Sequence, residues 1–333
     1  MKLKHLDLFS GIGGFHLGFE KAGFEIESYF SEIDKYAIDV YKNNFKNSKY
    51  VGSVTDVRGK QLPKIDLITF GSPCQDFSLA GKRRGMQGAR SSLISQAIRL
   101  ISECRPSVFI WENVKGTFSS NNGEDFWAII KTFANIGGYR IEWQLLNTSW
   151  FLPQNRERIY LVGYSTNECR GQVFPIRENN NQVDELQRQQ ANINTITTRY
   201  AATGSGSYLV ERKFNAQKNR IKIISGTKSG YEIAEKGDSI NLAFPKSKTK
   251  RGRIGKNQSQ TLDTACNMGV YIDKIRRLTP VECERLQGFP DNWTKFGITK
   301  GKISEAQRYK MCGNAVTVDV IEAIANKIKL NIL

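Results

Sequence analysis

The sequence predicts an α/β fold: a parallel sheet covered on both faces, joined to a smaller, irregular β-rich domain. Three observations carry this reading. The first 165 residues alternate short apolar runs with amphipathic segments, which is the pattern of strand–helix units. Residues 166–275 turn polar and basic, rich in Asn, Gln, Ser and Gly. Helical signals then return toward residue 330.

In chain order, LKHLDLF, EIESYFS, IDLITFG, SVFIWEN and RIYLVGY read as strands, with YRIEWQLLN as a further one. Between them, GFHLGFEKAG, KYAIDVYKNNF, LISQAIRLISEC and EDFWAIIKTFANI read as helices. In the third helix Leu93, Ala97, Leu100, Ile101 and Cys104 share one face. SYLVE, IKIIS and GVYI are the β-like pieces of the polar region. NTITTRYAATGSGSYLV and SQTLDTACNMGVYI within it are loosely alike, as a repeat or as two similar hairpins. Thr279, Pro280 and Glu282 spell an N-cap, a first-turn proline and a capping box. Val320, Ile321, Ile324 and Ile328 form a stripe that docks the C-terminus onto the first sheet. The expected division is 1–165 with 305–333, and 166–304 as an inserted second domain.

Composition narrows the class. Hydrophobic residues are 39% and charged residues 24% of 333, ordinary for a soluble globular protein. No run approaches the ~18 apolar residues of a membrane span, and Asp7 interrupts any apolar signal core at the N-terminus. A cytoplasmic protein without membrane attachment is expected. The six cysteines form no C-x-x-C pair, and His5 and His16 are the sole histidines, so no metal site is expected. The net charge is +17, which favours a polyanionic partner, most simply nucleic acid. Residues 211–256 hold thirteen Lys and Arg against four Asp and Glu, over half of that net charge.

Two stretches carry candidate chemistry. DLFSGIGGF joins the first strand to the first helix, and Gly11, Gly13 and Gly14 permit a tight turn with close backbone approach to a ligand. His16 breaks the G-x-G-x-x-G fingerprint, which argues against a nicotinamide-dependent reductase. Glu32 closes the second strand, placed to accept from two ribose hydroxyls. That suits a nucleoside without phosphates, such as S-adenosylmethionine. GSPCQDFS follows the strand IDLITF, so Cys74 lies past a carboxyl strand end, where open α/β sheets bind ligands. Pro73 aims it, and Lys82, Arg83, Arg84 and Arg90 follow. Such cations lower a thiol's pKa or hold phosphate. Glu112 ends the next strand in WENV, placed as an acid with a raised pKa. Arg156 and Arg158, in QNRER, share one face of an extended segment.

The ordered set DLFSGIGGF, GSPCQDFS, ENV, QNRER, RLTPVECERLQGFPDNW and MCGNAV resembles the DNA cytosine-5 methyltransferases of bacterial restriction–modification systems and phages. The resemblance spans nearly the whole chain outside about 166–255. It implies a Rossmann-like sheet using S-adenosylmethionine and a β-rich target-recognition domain for double-stranded DNA. It implies methyl transfer to C5 of a flipped-out cytosine, with Cys74 as the thiolate that attacks C6. Glu112 then serves N3 and the exocyclic amine. Arg158 contacts O2, and Arg156 supports the site or a phosphate.

Phe9, Ser10, Gly11, Ile12, Gly13 and Gly14 then line the cofactor. Glu32 takes the ribose and Ile33 the adenine face, and Ser53, Val54, Pro73, Leu93, Asn314 and Val316 complete the pocket. Where the family commonly has an acid for the adenine amine, this chain has Ser53, with Asp56 three residues on. The resemblance also implies a mobile loop at about 75–92, with Gln75, Ser78, Lys82, Arg83 and Arg84 on DNA. Arg251 and Arg253 join them from the small domain. A monomer is expected, active on DNA at the nucleoid of a bacterial or phage-infected cell. A cognate restriction endonuclease in the same system, without a stable complex, stays open. Two rivals also stay open: methylation of RNA such as tRNA, and a non-catalytic binding module. The intact Cys74, Glu112, Arg156 and Arg158 speak against the second.

Overall fold

The computed structural model describes residues 1–71, 92–166, 171–177 and 220–331. At its centre is a sheet of seven strands: β1 (Lys2–Leu8), β2 (Glu25–Ser31), β3 (Lys49–Tyr50), β4 (Leu67–Gly71), β5 (Val108–Val114), β6 (Tyr139–Asn147) and β8 (Glu157–Ser165). The short β7 (Gln154–Asn155) lies outside it. The spatial order is β3-β2-β1-β4-β5-β8-β6. The first five strands are parallel, whereas β8 runs antiparallel to both β5 and β6. The expected all-parallel sheet is corrected there. Only residues 148–156 join β6 to β8, and a parallel crossover needs a dozen or more.

The helices are α1 (Gly14–Lys21), α2 (Lys35–Asn44), α3 (Ser92–Cys104), α4 (Glu124–Ala134), α5 (Pro280–Leu286), α6 (Glu305–Asn314) and α7 (Val318–Asn331). Successive strand residues point to opposite faces. Leu3, Val108 and Ile110 therefore join a core with α1 and α7. Leu6, Leu8, Phe109 and Trp111 join a second core with α3 and α4. On α3, Ala97, Leu100 and Ile101 are fully buried as the stripe predicts, with Leu93 and Cys104 part-buried at its ends. The α7 stripe packs on Phe15 and Phe19 of α1. Gly18 permits the approach, since a Cβ there would lie 2.6 Å from Ile321. Thr279 and Glu282 form the expected capping box of α5. No described helix is long and apolar enough to cross a membrane.

The polar region contributes antiparallel pieces: β9 (Arg220–Ile224) pairs with β10 (Tyr231–Glu235). A second sheet orders β12 (Ile254–Gly255), β11 (Ser239–Asn241), β14 (Met268–Tyr271) and β15 (Ile275–Arg277). Ile223, Ala234, Ile240 and Tyr271 form a small core between them. Strand β13 (Ser259–Gln260) instead pairs with β7. The first of the two alike stretches, and SYLVE, lie outside the described residues. Segment 171–177 lies along β6, where Glu142 accepts from the amides of Val173 and Phe174. Phe289 and Ile303 pack in one cluster with Ile12, Val40 and Val318. Both stretches thus share the packing of the large sheet.

Beneath the first glycine loop lies a buried polar chain. Asp7 accepts from Thr69 Oγ1 at 2.9 Å and from the Tyr41 hydroxyl at 3.4 Å. His5 Nε2 meets Thr69 Oγ1 at 2.6 Å, and His16 Nδ1 meets the Tyr41 hydroxyl at 3.0 Å. Burial pushes the Asp7 carboxyl well above its usual range. Burial first, and then neighbouring His16, hold His5 well below its usual value. The unfolded chain therefore takes up a proton on His5 near pH ~6.5 that the folded chain refuses. Stability from His5 is present above that pH and lost as the pH falls through it. Asp7 acts in the opposite sense, so a comparison of two proteins isolates His5. Between pH 7.5 and 5.5 the urea midpoint is expected to fall more for wild type than for His5→Gln. Equal falls would assign the pH dependence elsewhere.

Candidate active site

The carboxyl ends of β1, β2, β4 and β5 open onto a cavity of 430 Å³. Its first wall is the loop after β1. Phe9 and Gly11 both take positive φ, 52° and 53°, which turns the chain sharply into α1. Gly13 packs against the aromatic rings behind the loop, where a Cβ would lie 2.3 Å from Phe45. Gly14 packs against Val316, with a Cβ 2.6 Å from its methyl group. Trp293 Nε1 donates to the Ile12 carbonyl at 3.0 Å and braces the loop from a distant stretch. Ser10 Oγ, on the cavity wall, is buried without a hydrogen-bond partner among the described residues.

Glu32 ends β2 with its carboxylate held by backbone amides. Oε2 accepts from Gly11 at 2.9 Å, and Oε1 from Ile33 at 2.7 Å and Asp34 at 2.9 Å. A carboxylate offers about four acceptor positions, so capacity for one further donor is left. Beside it Ile33 is 80% exposed. A large aliphatic face so open suits a flat apolar ligand. Val54 and Val316 are buried in the opposing walls.

At the other end of the cavity, Gly71 of β4 sits opposite Glu112 of β5. A Cβ at Gly71 would lie 3.0 Å from Glu112 Oε2. Glu112 is buried, and its Oε1 lies 3.1 Å from Arg158 Nε. Arg158 also donates to the Glu157 carbonyl at 2.8 Å. Arg156 is buried and turns the other way. It donates to the carbonyls of Leu262 at 3.3 Å, Gly313 at 3.4 Å and Ala315 at 2.8 Å. Burial, and then neighbouring Arg158, lower its pKa to about 10, so the guanidinium stays charged at neutral pH. Gln154 adds a second tie, donating to Leu286 and accepting from the Leu262 amide.

The cavity gathers Phe9, Ser10, Gly11, Ile12, Gly14, Glu32, Ile33, Ser53, Val54, Leu93, Asn314 and Val316 with Glu112, Arg156 and Arg158. Gly13 does not line it, being committed to the Phe45 ring. Of the two adenine-contact candidates, Ser53 lines the cavity. Asp56 is exposed and accepts from Thr55. Pro73, Cys74, Gln75, Ser78, Lys82, Arg83 and Arg84 lie outside the described residues. Arg251 is exposed, as a DNA contact requires. Arg253 is corrected: it is 2% exposed, and its guanidinium donates to the carbonyls of Ile224, Asn241, Ala243 and Pro245. Four bonds from its two terminal nitrogens to these carbonyls hold it inside. The sequence reading also missed Trp293 and Met311, which brace and line the cavity. The buried-looking Trp of GFPDNW was the available signal for the first.

Sheet and cavity define an α/β protein with a ligand-sized cavity at its strand ends. Residues 3–330 match the family description "C-5 cytosine-specific DNA methylase". Type II methyltransferase M1.ScrFI of Lactococcus lactis subsp. cremoris is 34% identical over 98% of this chain and 78% of its own length. Type II methyltransferase M.NgoBI of Neisseria gonorrhoeae is also 34% identical, over 96% of this chain and 91% of its own. Entamoeba histolytica methyltransferase EhMeth shares the fold, with a TM-score of 0.60 at 16% identity over 98% of both chains. The chain belongs to the C-5 cytosine-specific DNA methylases, and is a DNA cytosine-5-methyltransferase.

Replacing Arg156 by Met strands two buried carbonyls, of Leu262 and Ala315, and the part-buried one of Gly313, at about 1–3 kcal/mol for each buried group. The urea-unfolding free energy is expected to drop by about 3 kcal/mol or more. An unchanged value would mean that other groups satisfy those carbonyls.

Proposed function

We propose that the protein methylates C5 of a cytosine within a specific double-stranded DNA sequence, as part of a restriction–modification system. The pairing of buried Glu112 with Arg158, beside the strand end that leads to Cys74, carries this reading. Cys74 follows Gly71 by three residues, a tether of at most about 11 Å. Gly71 itself is the register partner of Glu112 across the sheet. A tether that short allows the thiol to reach the carboxyl and guanidinium that the chemistry requires.

C5 of cytosine is too weak a nucleophile to take a methyl group unaided. Cys74 attacks as thiolate and forms a bond to C6, which makes C5 enamine-like. Glu112 holds a proton at or near N3 and accepts from the exocyclic amine, which stabilises charge developing in the ring. Arg158 contacts O2 and, through its ion pair, orients Glu112. The new C5–methyl bond forms as the methyl–sulfur bond of the donor breaks, its electron pair staying on sulfur. A base then takes the C5 proton, the C6–sulfur bond breaks, and Cys74 leaves as thiolate. Arg156 acts at one remove, fixing the backbone of 313–315. The target base must leave the duplex stack to reach this site.

The cavity suits S-adenosylmethionine, which supplies an electrophilic methyl on a sulfonium. The orphaned Ser10 hydroxyl wants a polar partner, such as the methionine end of that group. Glu32 has one acceptor position left for a ribose hydroxyl, one fewer than the sequence alone suggests. Ile33 offers its exposed face to the adenine, with Ser53 nearer than Asp56. No phosphate cradle is needed. We assign 1–165 and the C-terminal helices to catalysis, and the β9–β15 region to target recognition. A monomer acting on cytoplasmic DNA fits these assignments.

Bisulfite sequencing of DNA from expressing cells is expected to reveal one methylated motif. Folded, cofactor-loaded protein that leaves no such motif would sink the proposal. Cys74→Ser is expected to abolish transfer while keeping duplex binding. Glu112→Gln is expected to lower kcat by about 10²–10⁴-fold, with little change in cofactor affinity by titration.

A further inference from the structure

Between β11 and β12 runs a loop, 242–253, with the sequence LAFPKSKTKRGR. Its backbone is tightly built. Ser247 donates its amide to Phe244 at 2.9 Å, and its hydroxyl accepts from Lys250 at 3.2 Å. The Lys250 carbonyl accepts from Gly226 at 2.8 Å. Beneath lies Arg253, its Nη1 donating to Pro245 at 2.9 Å and Ile224 at 3.1 Å, its Nη2 to Asn241 at 2.9 Å. One buried guanidinium thus fixes both sides of the loop's base.

What this scaffold presents is costly in isolation. Phe244 is 75% exposed and held at a φ of 53°. A bulky side chain is rare in that region, which Gly or Asn enters easily. Neither burial nor backbone preference therefore explains a phenylalanine there. Around it stand Lys246, Lys248, Lys250 and Arg251, none with a carboxylate within 4 Å among the described residues. Elsewhere in this region three cations are neutralised: Arg220 by Glu235, Lys236 by Asp273, Lys256 by Asp238. The loop is also braced to the active site. The Gly252 carbonyl accepts from Gln260 of β13, and β13 pairs with β7, which leads directly into Arg156.

We propose that this loop is a preformed DNA-reading element. Phe244 is its specificity-determining contact, stacked against a base or wedged at a base step. Lys246 and Lys248 hold the flanking phosphates. Arg253 is a positioning residue that never touches DNA. The inference rests on the methyltransferase reading above and goes beyond it by naming the residues that choose the site. A strained, exposed aromatic with Lys250 over its ring, flanked by Lys246 and Lys248, which have no carboxylate within 4 Å among the described residues, fits an anionic surface with flat apolar faces, and a duplex offers both.

The test uses the full chain with S-adenosylhomocysteine and a duplex carrying the motif mapped for wild type. Phe244→Asn is expected to unfold at the same or a higher urea concentration, because Asn tolerates the positive φ. It is expected to bind that duplex about tenfold or more weakly and to relax the methylated motif. Lys246→Gln with Lys248→Gln is expected to weaken cognate and unrelated duplexes alike, and to reduce the salt slope of binding by about two. If wild type methylates a motif and both variants match it in affinity, salt slope and methylation pattern, the loop proposal is overturned. A Phe244→Asn protein that loses stability in step with DNA affinity also overturns it, since the ring would then be structural. A wild type that methylates no duplex cytosine sinks the functional reading, and the loop proposal with it.

Discussion

The site depends on the buried cation of Arg156. Among the described residues its guanidinium forms no ion pair. Its two terminal nitrogens donate to carbonyls of Leu262, Gly313 and Ala315, which come from stretches more than a hundred residues away. Burial of a charge is expensive unless its hydrogen bonds are met, so those carbonyls must be delivered together. The constraint fixes where 313–316 lies, and Val316 in turn leaves room only for glycine at position 14. The glycine loop, the strand carrying Arg158 and the return of the chain after 262 are therefore placed by one interaction. Gln154 and Gln287 reinforce the joint through buried bonds to Leu286 and Cys312.

Much of this was legible in the sequence, because strand ends and their terminal residues follow from patterns of two and 3.6. LITFG, VFIWENV and the α7 stripe fold where those periods place them. Direction was not legible: ERIYLVGYS is buried like its neighbours, and burial carries no sign of which way a strand runs. The length of the preceding connection was the deciding fact. Among site residues, the glycines were read as a group, yet they divide by what lies behind each backbone. Gly11 faces open space, Gly13 an aromatic ring and Gly14 a valine. Only tertiary contact separates these cases.

Charge shows the same limit more sharply. Arg251 and Arg253 look equivalent in RGR, but the first is exposed and the second is among the largest fully buried side chains. Two residues of spacing in a turn sufficed to put one on each side. A basic cluster counted from sequence therefore overstates its contact surface, since part of it is spent on carbonyls and on Glu235, Asp238 and Asp273. Lys246, Lys248, Lys250 and Arg251, none with a carboxylate within 4 Å among the described residues, share one loop.

Chemistry and recognition meet along a single path. Gln260 touches the base of that loop, β13 pairs with β7, and β7 opens into the arginines of the site. A flexible link would let the small region bind DNA without fixing where the target base falls. A 1 Å misplacement at a reacting centre costs about a hundredfold in rate. Parallel pairing of Ser259–Gln260 with Gln154–Asn155, backed by the buried Gln154 and Arg156, removes that freedom at the point where it matters. Arg156, which lines the cavity, thus also ties the strand ends to the path that leads to loop 242–253. This explains why polar groups so costly to bury are concentrated at this joint rather than spread through the core.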